Sequence, residues 1–185
     1  LAEFTLDIHI SIDPTQIGYI VNEGTCKDNF FKLANEIKIL SHNSNESSKN
    51  FLMLDMEDST VTESTINIFN ELRKYYIQTA ITLQAYLYRT KDDLKKIINE
   101  DKGVVRLVKG AFAEKRDVAF INPDDINNSY LESAELMLSD TAKRNCFYPI
   151  FATYDTKMID MVIETALKNG WKKDEYEFEM CYGVL

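Results

Sequence analysis

The chain has 185 residues, of which 45% are hydrophobic and 28% charged, and its formal net charge is -9 at pH 7. These values are typical of one soluble folded domain, and the acidic balance argues against binding to nucleic acid or to an anionic membrane. Three widely spaced cysteines and two histidines give no pattern for a disulfide framework or a metal site, so no metal is expected. A reducing cytoplasm is therefore the expected compartment.

Apolar residues recur with the periods of strands and helices in turn along the chain. Alternating or continuous apolar runs predict strands over 4–12, 51–56, 80–87, 104–108, 148–153 and 176–182. Helical spacing predicts helices over 26–40, 60–76, 90–98, 126–141 and 157–169. Two of these helices begin with capping-box patterns, Thr60 with Glu63 and Thr90 with Asp93. A polar loop is expected over 41–50.

Strands that alternate with helices indicate a parallel sheet with right-handed crossovers. Either a doubly wound sheet or a (β/α)8 barrel fits this order. Polar residues follow almost every strand, which favours a barrel whose top face is one polar pocket. The polar residues at the strand ends are Asp13, Asp55, Gln84, Arg106 with Lys109, Thr153 with Tyr154, and Glu179. We therefore predict an α/β fold, a (β/α)8 TIM-type barrel that is incomplete at about six units, with residues 1–185 a single domain truncated at both ends.

The stretch 104–112 combines a buried strand with two cations and a glycine. Arg106 and Lys109 each need an anion or an open cavity, because burying an isolated cation is costly. Gly110 allows something to approach the backbone closely. This stretch either presents an anionic ligand at the carboxyl end of a strand or is a core strand whose arginine pairs with a neighbouring carboxylate.

Asp55 falls within the predicted strand 51–56, close to two further carboxylates. An in-strand aspartate is commonly a structural hydrogen-bonding group, and its alternative here is a catalytic role. Asp55 with Glu57 and Asp58 also has the oxygen-rich character of a magnesium site, although Glu57 and Asp58 are more consistent with the start of a solvent-exposed loop.

Amide and hydroxyl groups follow two other predicted strands. Gln84 is either a satisfied core amide or a hydrogen-bonding partner for the edge of a heterocycle. Thr153 and Tyr154 either form a turn or contact a ligand. The chain contains no GxGxxG, P-loop or GxSxG motif, so no dinucleotide-sheet or serine-hydrolase motif supports those functions.

Taken together, these segments resemble the proline dehydrogenase family of FAD-dependent barrel enzymes. The segment Arg106-Leu107-Val108-Lys109-Gly110-Ala111 is similar to the signature of the family's fifth strand. Further similar segments occur in the family's order at 10–18, 54–59, 83–87, 152–155 and 176–183. The resemblance implies that the chain corresponds to strands two to seven of the barrel and that the parent chain supplies the missing strands.

The resemblance also implies an activity and a set of site residues. The activity is oxidation of L-proline to Δ1-pyrroline-5-carboxylate, with hydride transfer to FAD and a membrane quinone as the electron acceptor. It implies a cytoplasmic protein that can be peripheral to the inner face of the membrane. Asp55 corresponds to an active-site residue and Arg106 to a cation beside the flavin. The positions expected to line the flavin are Met56, Gln84, Lys109, Gly110, Ala111, Thr153 and Tyr154.

Four positions depart from the family pattern. Asp13 replaces a lysine that helps to hold the substrate carboxylate, and a carboxylate there would repel it. Tyr154 replaces a histidine, Phe112 replaces a tyrosine, and Glu179 replaces a glutamine of the seventh strand. A tyrosine and an arginine pair of the family's eighth strand have no counterpart before Leu185.

These departures leave two alternatives to an active flavoenzyme. One is an inactive barrel fragment or remnant that acts only as a binding or interaction module. The other is a barrel enzyme that acts on an anionic substrate without flavin, for which Gln84 would have no role.

Overall fold

The computed structural model of the protein describes residues 8–41, 50–76 and 78–183. It divides into two compact units, Leu1–Ile81 and Thr82–Leu185. Within the described ranges, none of the helices combines the length and the apolar character needed to cross a membrane. The single-domain organisation stays a prediction, and the two units are described separately below.

The first unit alternates strands and helices. Its elements are β1 (His9–Ile12), a short 3-10 helix (Pro14–Ile17), α1 (Glu23–Ser41), β2 (Phe51–Leu54), α2 (Thr62–Leu72) and the start of β3 (Thr79–Gln84). β1 pairs in parallel with β2, with Ile12 opposite Leu54, and β2 pairs in parallel with β3, with Leu54 opposite Ile81. These crossovers confirm the predicted parallel sheet in this part of the chain.

The second unit continues the same alternation from the end of β3. Its elements are α3 (Thr90–Ile98), β4 (Val104–Val108), α4 (Pro123–Met137), α5 (Asp140–Arg144), β5 (Tyr148–Ala152), α6 (Thr156–Lys168) and β6 (Glu177–Glu179). β4 pairs in parallel with β5, and β5 pairs in parallel with β6. Just beyond β3, the backbone N–H of Ala85 donates to the Val108 carbonyl at 2.8 Å.

Burial explains the continuous apolar runs of the strands. Every residue of β3 is buried, and so are Leu52, Met53 and Leu54 of β2. Strands that are covered on both faces are characteristic of parallel sheets packed between other elements. The predicted α/β class with successive β/α units is therefore confirmed.

Several predicted strands end earlier than expected, because side chains and turns take over the backbone hydrogen bonds. Asp55 was predicted to lie inside a strand, but β2 ends at Leu54, and Asp55 Oδ1 accepts the N–H of Met56 at 3.0 Å. β3 ends at Gln84, whose carbonyl accepts the N–H of Leu87 in a turn at 3.2 Å. Polar residues expected inside strands therefore lie just beyond them.

Both predicted capping boxes are wrong, although the helices themselves are present. α2 begins at Thr62, and the hydroxyl of Thr60 donates instead to the side chain of Asp58. α3 begins at Thr90 as predicted, but the Thr90 hydroxyl donates to the carbonyl of Gln84. The hydroxyls are used to fix the preceding loops rather than the first turns of the helices.

The helix predicted over 126–141 is two helices. Ser139 adopts an extended backbone, with ψ of 160°, between α4 and α5, and its side chain accepts the N–H of Ala142 at 3.2 Å. A serine at this position caps a new helix and ends the old one. The expected loop over 42–49 and the part of the first strand before residue 8 lie outside the described residues.

The three cysteines differ in burial, which predicts different reactivity. Cys26 is fully buried in α1, and burial raises the pKa of its thiol to about 11, whereas Cys146 and Cys181 are exposed. Because the thiolate is the reactive form, we expect two fast equivalents of a disulfide reagent at pH 8 and a third only after unfolding in urea. Three fast equivalents in the native protein would contradict this prediction.

Candidate functional site

Arg106 contacts polar side chains on two sides within the second unit. It projects from β4, where its neighbours Val105 and Leu107 are fully buried. Its Nε donates to Thr82 Oγ1 at 2.9 Å, and its Nη1 donates to Glu179 Oε2 at 3.1 Å. The side chain is 14% exposed and that of Glu179 26%. The expected pairing with a neighbouring carboxylate is therefore observed, and the presentation of an anionic ligand by this strand stays a prediction.

The strand register directs the Arg106 side chain toward the carboxyl ends of the strands. Arg106 is opposite Ile150 in β5, whereas Glu179 of β6 is opposite Ala152, two residues further on. The ion pair therefore crosses β5, and its carboxylate lies nearer the carboxyl ends of the strands than its guanidinium does. Thr82, which the sequence analysis did not single out, holds the other side of the guanidinium. The sequence does contain a signal for Thr82, because a residue two positions before Gln84 points to the same face of the strand.

Lys109 lies one residue beyond β4, beside the start of α6. Its Nζ is 3.5 Å from Asp155 Oδ2, and both side chains are about one-third exposed. Asp155 also caps α6, accepting the N–H of Lys157 at 3.1 Å, while its own N–H donates to Thr153 Oγ1 at 3.1 Å. A solvent-exposed pair of this kind is weak, so Lys109 can exchange its carboxylate for the anionic group of a ligand.

Gly110 packs against a tyrosine ring of the protein itself. Its φ is +115°, and a Cβ built on it would lie 2.4 Å from Cδ1 of Tyr86. The Tyr86 N–H donates to the carbonyl of Lys109 at 3.0 Å, which fixes the ring beside this backbone. The close approach expected at Gly110 is therefore made by Tyr86.

The remaining predicted flavin-lining residues of the second unit differ in exposure. Gln84 ends β3 and is 2% exposed, and Thr153 is buried just after β5. Ala111 and Tyr154 are exposed, Tyr154 at 65%. The second unit thus combines buried polar groups and exposed residues at the carboxyl ends of β3, β4 and β5.

Asp55 of the first unit accepts hydrogen bonds from Ser11 and Met56. The hydroxyl of Ser11 donates to its Oδ2 at 2.9 Å, and the N–H of Met56 to its Oδ1 at 3.0 Å. The neighbouring Glu57 binds elsewhere, because both of its oxygens accept hydrogen bonds from Thr15, at 2.6 and 2.9 Å. Glu57 thus holds the 3-10 helix in place, and Asp55 is oriented by β1.

Asp13 stands between β1 and the 3-10 helix and is half-buried. Its carbonyl accepts the N–H of Gln16 at 3.0 Å, which begins the helical turn. Its backbone is extended, with ψ of 135°, as expected for a residue before Pro14. The backbone of Asp13 is therefore fixed by the turn on its carboxyl side.

Successive parallel β/α units with charged and polar side chains after the strands define an α/β protein of the TIM-barrel type. The sequence matches the family described as proline dehydrogenase over residues 8–184, and the chain belongs to that family. It is 32% identical over 184 residues to proline dehydrogenase 2 of Bacillus subtilis strain 168, covering 100% of this chain and 56% of that protein. The chain thus spans a little over half the length of this relative.

Among the solved structures that share the fold are two proline utilization A proteins. One is proline utilization A from Bdellovibrio bacteriovorus inactivated by N-propargylglycine, with 26% identity, a TM-score of 0.74, and coverage of 94% of this chain and 20% of that one. The other is proline utilization A from Corynebacterium freiburgense, with 21% identity, a TM-score of 0.77, and coverage of 99% and 22%. The predicted fold class is confirmed by these likenesses.

Proposed function

We propose that the protein acts in the FAD-dependent oxidation of L-proline to Δ1-pyrroline-5-carboxylate. The observation that carries the proposal is Arg106, a cation held by Thr82 and Glu179 at the carboxyl edge of the second unit, in a chain of the proline dehydrogenase family. The chain's relatives are named proline dehydrogenases, which supports proline as the substrate.

The donor set of the second unit fits a flavin nucleotide. The ammonium group of Lys109 suits a phosphate or a ribityl oxygen, and the Gln84 amide and the Thr153 hydroxyl suit the edge of a heterocycle. We assign Gly110, Ala111 and Tyr154 to the lining of the cofactor. For Met56 of the first unit we propose the flavin-lining role that the family resemblance implies. When bound, FAD supplies the acceptor for the hydride that leaves the ring carbon beside the proline nitrogen.

Arg106 has the properties of an electrostatic catalyst. Its guanidinium is fixed from two sides, so little reorganisation is needed when negative charge develops nearby. A fixed cation in a half-buried site acts more strongly than one in water, because the surrounding dielectric is lower. We assign Arg106 the stabilisation of negative charge that accumulates on the cofactor side of the reaction.

Asp55 is the proposed catalytic carboxylate of the first unit. Ser11 and the Met56 N–H hold its two oxygens in one orientation. A fixed carboxylate favours a cationic partner, and the ring nitrogen of proline is such a group in its protonated form. We also propose Asp13 as a substrate-binding position, where its negative charge weakens the hold on the proline carboxylate. A membrane quinone as acceptor and a cytoplasmic location, peripheral to the inner face of the membrane, complete the proposal.

A visible spectrum tests this function. The purified protein is incubated with FAD, freed of unbound cofactor, and mixed anaerobically with L-proline, with D-proline as the control. We expect a retained flavin band that bleaches with the L-isomer, because the donor set binds FAD and the reaction reduces it. A band that stays oxidised with both isomers would support the binding-module alternative, for which Asp13 is the structural reason. Absence of a retained band would contradict the proposal.

A further inference from the structure

Two glutamates of β6 lie on the same face of the strand and touch different partners. Glu177 and Glu179 flank Phe178, and residues two apart in a strand point to the same side. Glu179 Oε2 lies 3.1 Å from Nη1 of Arg106, whereas Glu177 Oε2 accepts the hydroxyl of Tyr148 at 3.1 Å. The two side chains are similarly half-buried, and one carboxylate oxygen of each lies within 4.8 Å of the other, so they form a matched pair in which Glu179 contacts Nη1 of Arg106 and Glu177 contacts Tyr148.

We propose that Glu179 is a positioning residue for Arg106 and that its charge sets how strongly this site favours a reduced, anionic flavin over an oxidised one. The proposal rests on the function proposed above, because it concerns the effect of Arg106 on a bound flavin. It goes beyond that function by assigning the tuning of the site to a carboxylate of this chain.

The physical reason is charge balance at short range. At 3.1 Å, the carboxylate of Glu179 cancels much of the field that Arg106 exerts on a third group. Its contact with Nη1, together with the bond from Nε to Thr82, also fixes the plane of the guanidinium. Glu179 therefore orients the guanidinium of Arg106 and offsets part of its positive potential. A nearby flavin then has a lower reduction potential than it would have beside an arginine without this carboxylate.

The substitution Glu179→Gln separates these two effects. Glutamine keeps the length of the side chain and an oxygen that accepts from the guanidinium, but it removes the negative charge. Glu177→Gln makes the same change in charge two residues away, beside Tyr148. A structural effect of losing a half-buried carboxylate would appear equally in both variants, whereas an effect through the contact with Nη1 of Arg106 would be larger in the first.

The measurement is the midpoint potential of the bound flavin, obtained anaerobically with a reference dye for the unsubstituted protein and both variants. We expect Glu179→Gln to favour the reduced flavin by about tenfold, which is about 30 mV for a two-electron couple. Glu177→Gln removes a charge close to the same site and should shift the ratio by less than Glu179→Gln does, and Glu179→Asp should restore the original potential. Equal shifts in the two glutamine variants, or no shift in either, would overturn the proposal.

A measurement without flavin keeps the positioning role testable on its own. Exchange of the Arg106 Nε–H with solvent is followed by NMR, with the signal assigned through its loss in Arg106→Lys. We expect at least fivefold faster exchange in Glu179→Ala than in Glu177→Ala, because Glu179→Ala removes the carboxylate that holds Nη1 of the guanidinium. Equal exchange rates would overturn the positioning role. Failure of the unsubstituted protein to retain FAD, with exchange rates as expected, would overturn the proposed function and the flavin-tuning role but leave positioning supported.

Discussion

Substitution of Arg106 by methionine is expected to lower kcat/KM for L-proline by about 10²–10³-fold, the usual loss when one fixed electrostatic group is removed from an active site. Methionine keeps most of the side-chain volume in β4 but stabilises no negative charge. The loss should appear mainly in the rate of flavin reduction, measured by stopped-flow absorbance under anaerobic conditions. FAD retention should fall less, because Lys109 and the polar groups after β3 and β5 remain.

The control for this substitution is Arg116→Met, which removes the same charge from an exposed side chain of the loop between β4 and α4. Arg106→Lys is a second comparison, because lysine keeps the charge but cannot contact Thr82 and Glu179 with one planar group. We expect an intermediate loss for the lysine variant. If Arg106→Met behaves like Arg116→Met, the catalytic role of Arg106 is wrong.

Substitution of Gly110 by alanine is expected to destabilise the protein by about 2–5 kcal/mol, from backbone strain together with overpacking. The φ of +115° at Gly110 is unfavourable for any residue with a Cβ, and the new methyl group would lie 2.4 Å from Cδ1 of Tyr86. The ring has little room to move away, because Tyr86 is only 5% exposed and its backbone is hydrogen-bonded to Lys109 and to Phe120. Urea unfolding followed by circular dichroism gives the free energy of unfolding.

Gly170→Ala is the matched control for the backbone effect. Gly170 also has a positive φ, +71°, but the nearest atom to its built Cβ lies 3.9 Å away. Gly170→Ala should lower the free energy of unfolding by about 1–2 kcal/mol, which is the penalty of a left-handed conformation alone. A cost for Gly110→Ala no greater than that of Gly170→Ala would show that Tyr86 does not constrain this position.

The sequence was sufficient to predict the order of strands and helices, since apolar periodicity reflects burial on one or both faces. The ends of elements were harder, because they depend on individual hydrogen bonds. Asp55 ends β2 by binding the N–H of Met56, and the Thr90 hydroxyl binds the Gln84 carbonyl instead of capping its own helix. Such choices between local and more distant partners leave no periodic signal in the sequence.

Arg106 and Glu179 could be selected from the sequence, whereas Thr82 was not singled out and the contacts between these residues could not be predicted. Charged side chains in and just after parallel strands can meet on one side of the sheet, which is why Arg106 in β4 and Glu179 in β6 were both candidates. That they pair depends on the register of β4, β5 and β6, which places Glu179 two residues further along the strands than Arg106. Gly110 was predicted to allow close approach, but which ring approaches it depends on the turn after β3.

The contact between Arg106 and Glu179 joins residues that are 73 positions apart, so it cannot form until long after Arg106 has been synthesised. On a ribosome that adds 5–20 residues per second, Glu179 is made about 4–15 s after Arg106. During that interval the contact with Glu179 cannot form, since β6 has not yet been made. The ion pair that fixes Nη1 of Arg106 therefore forms only once β6 has been made and has paired with β5.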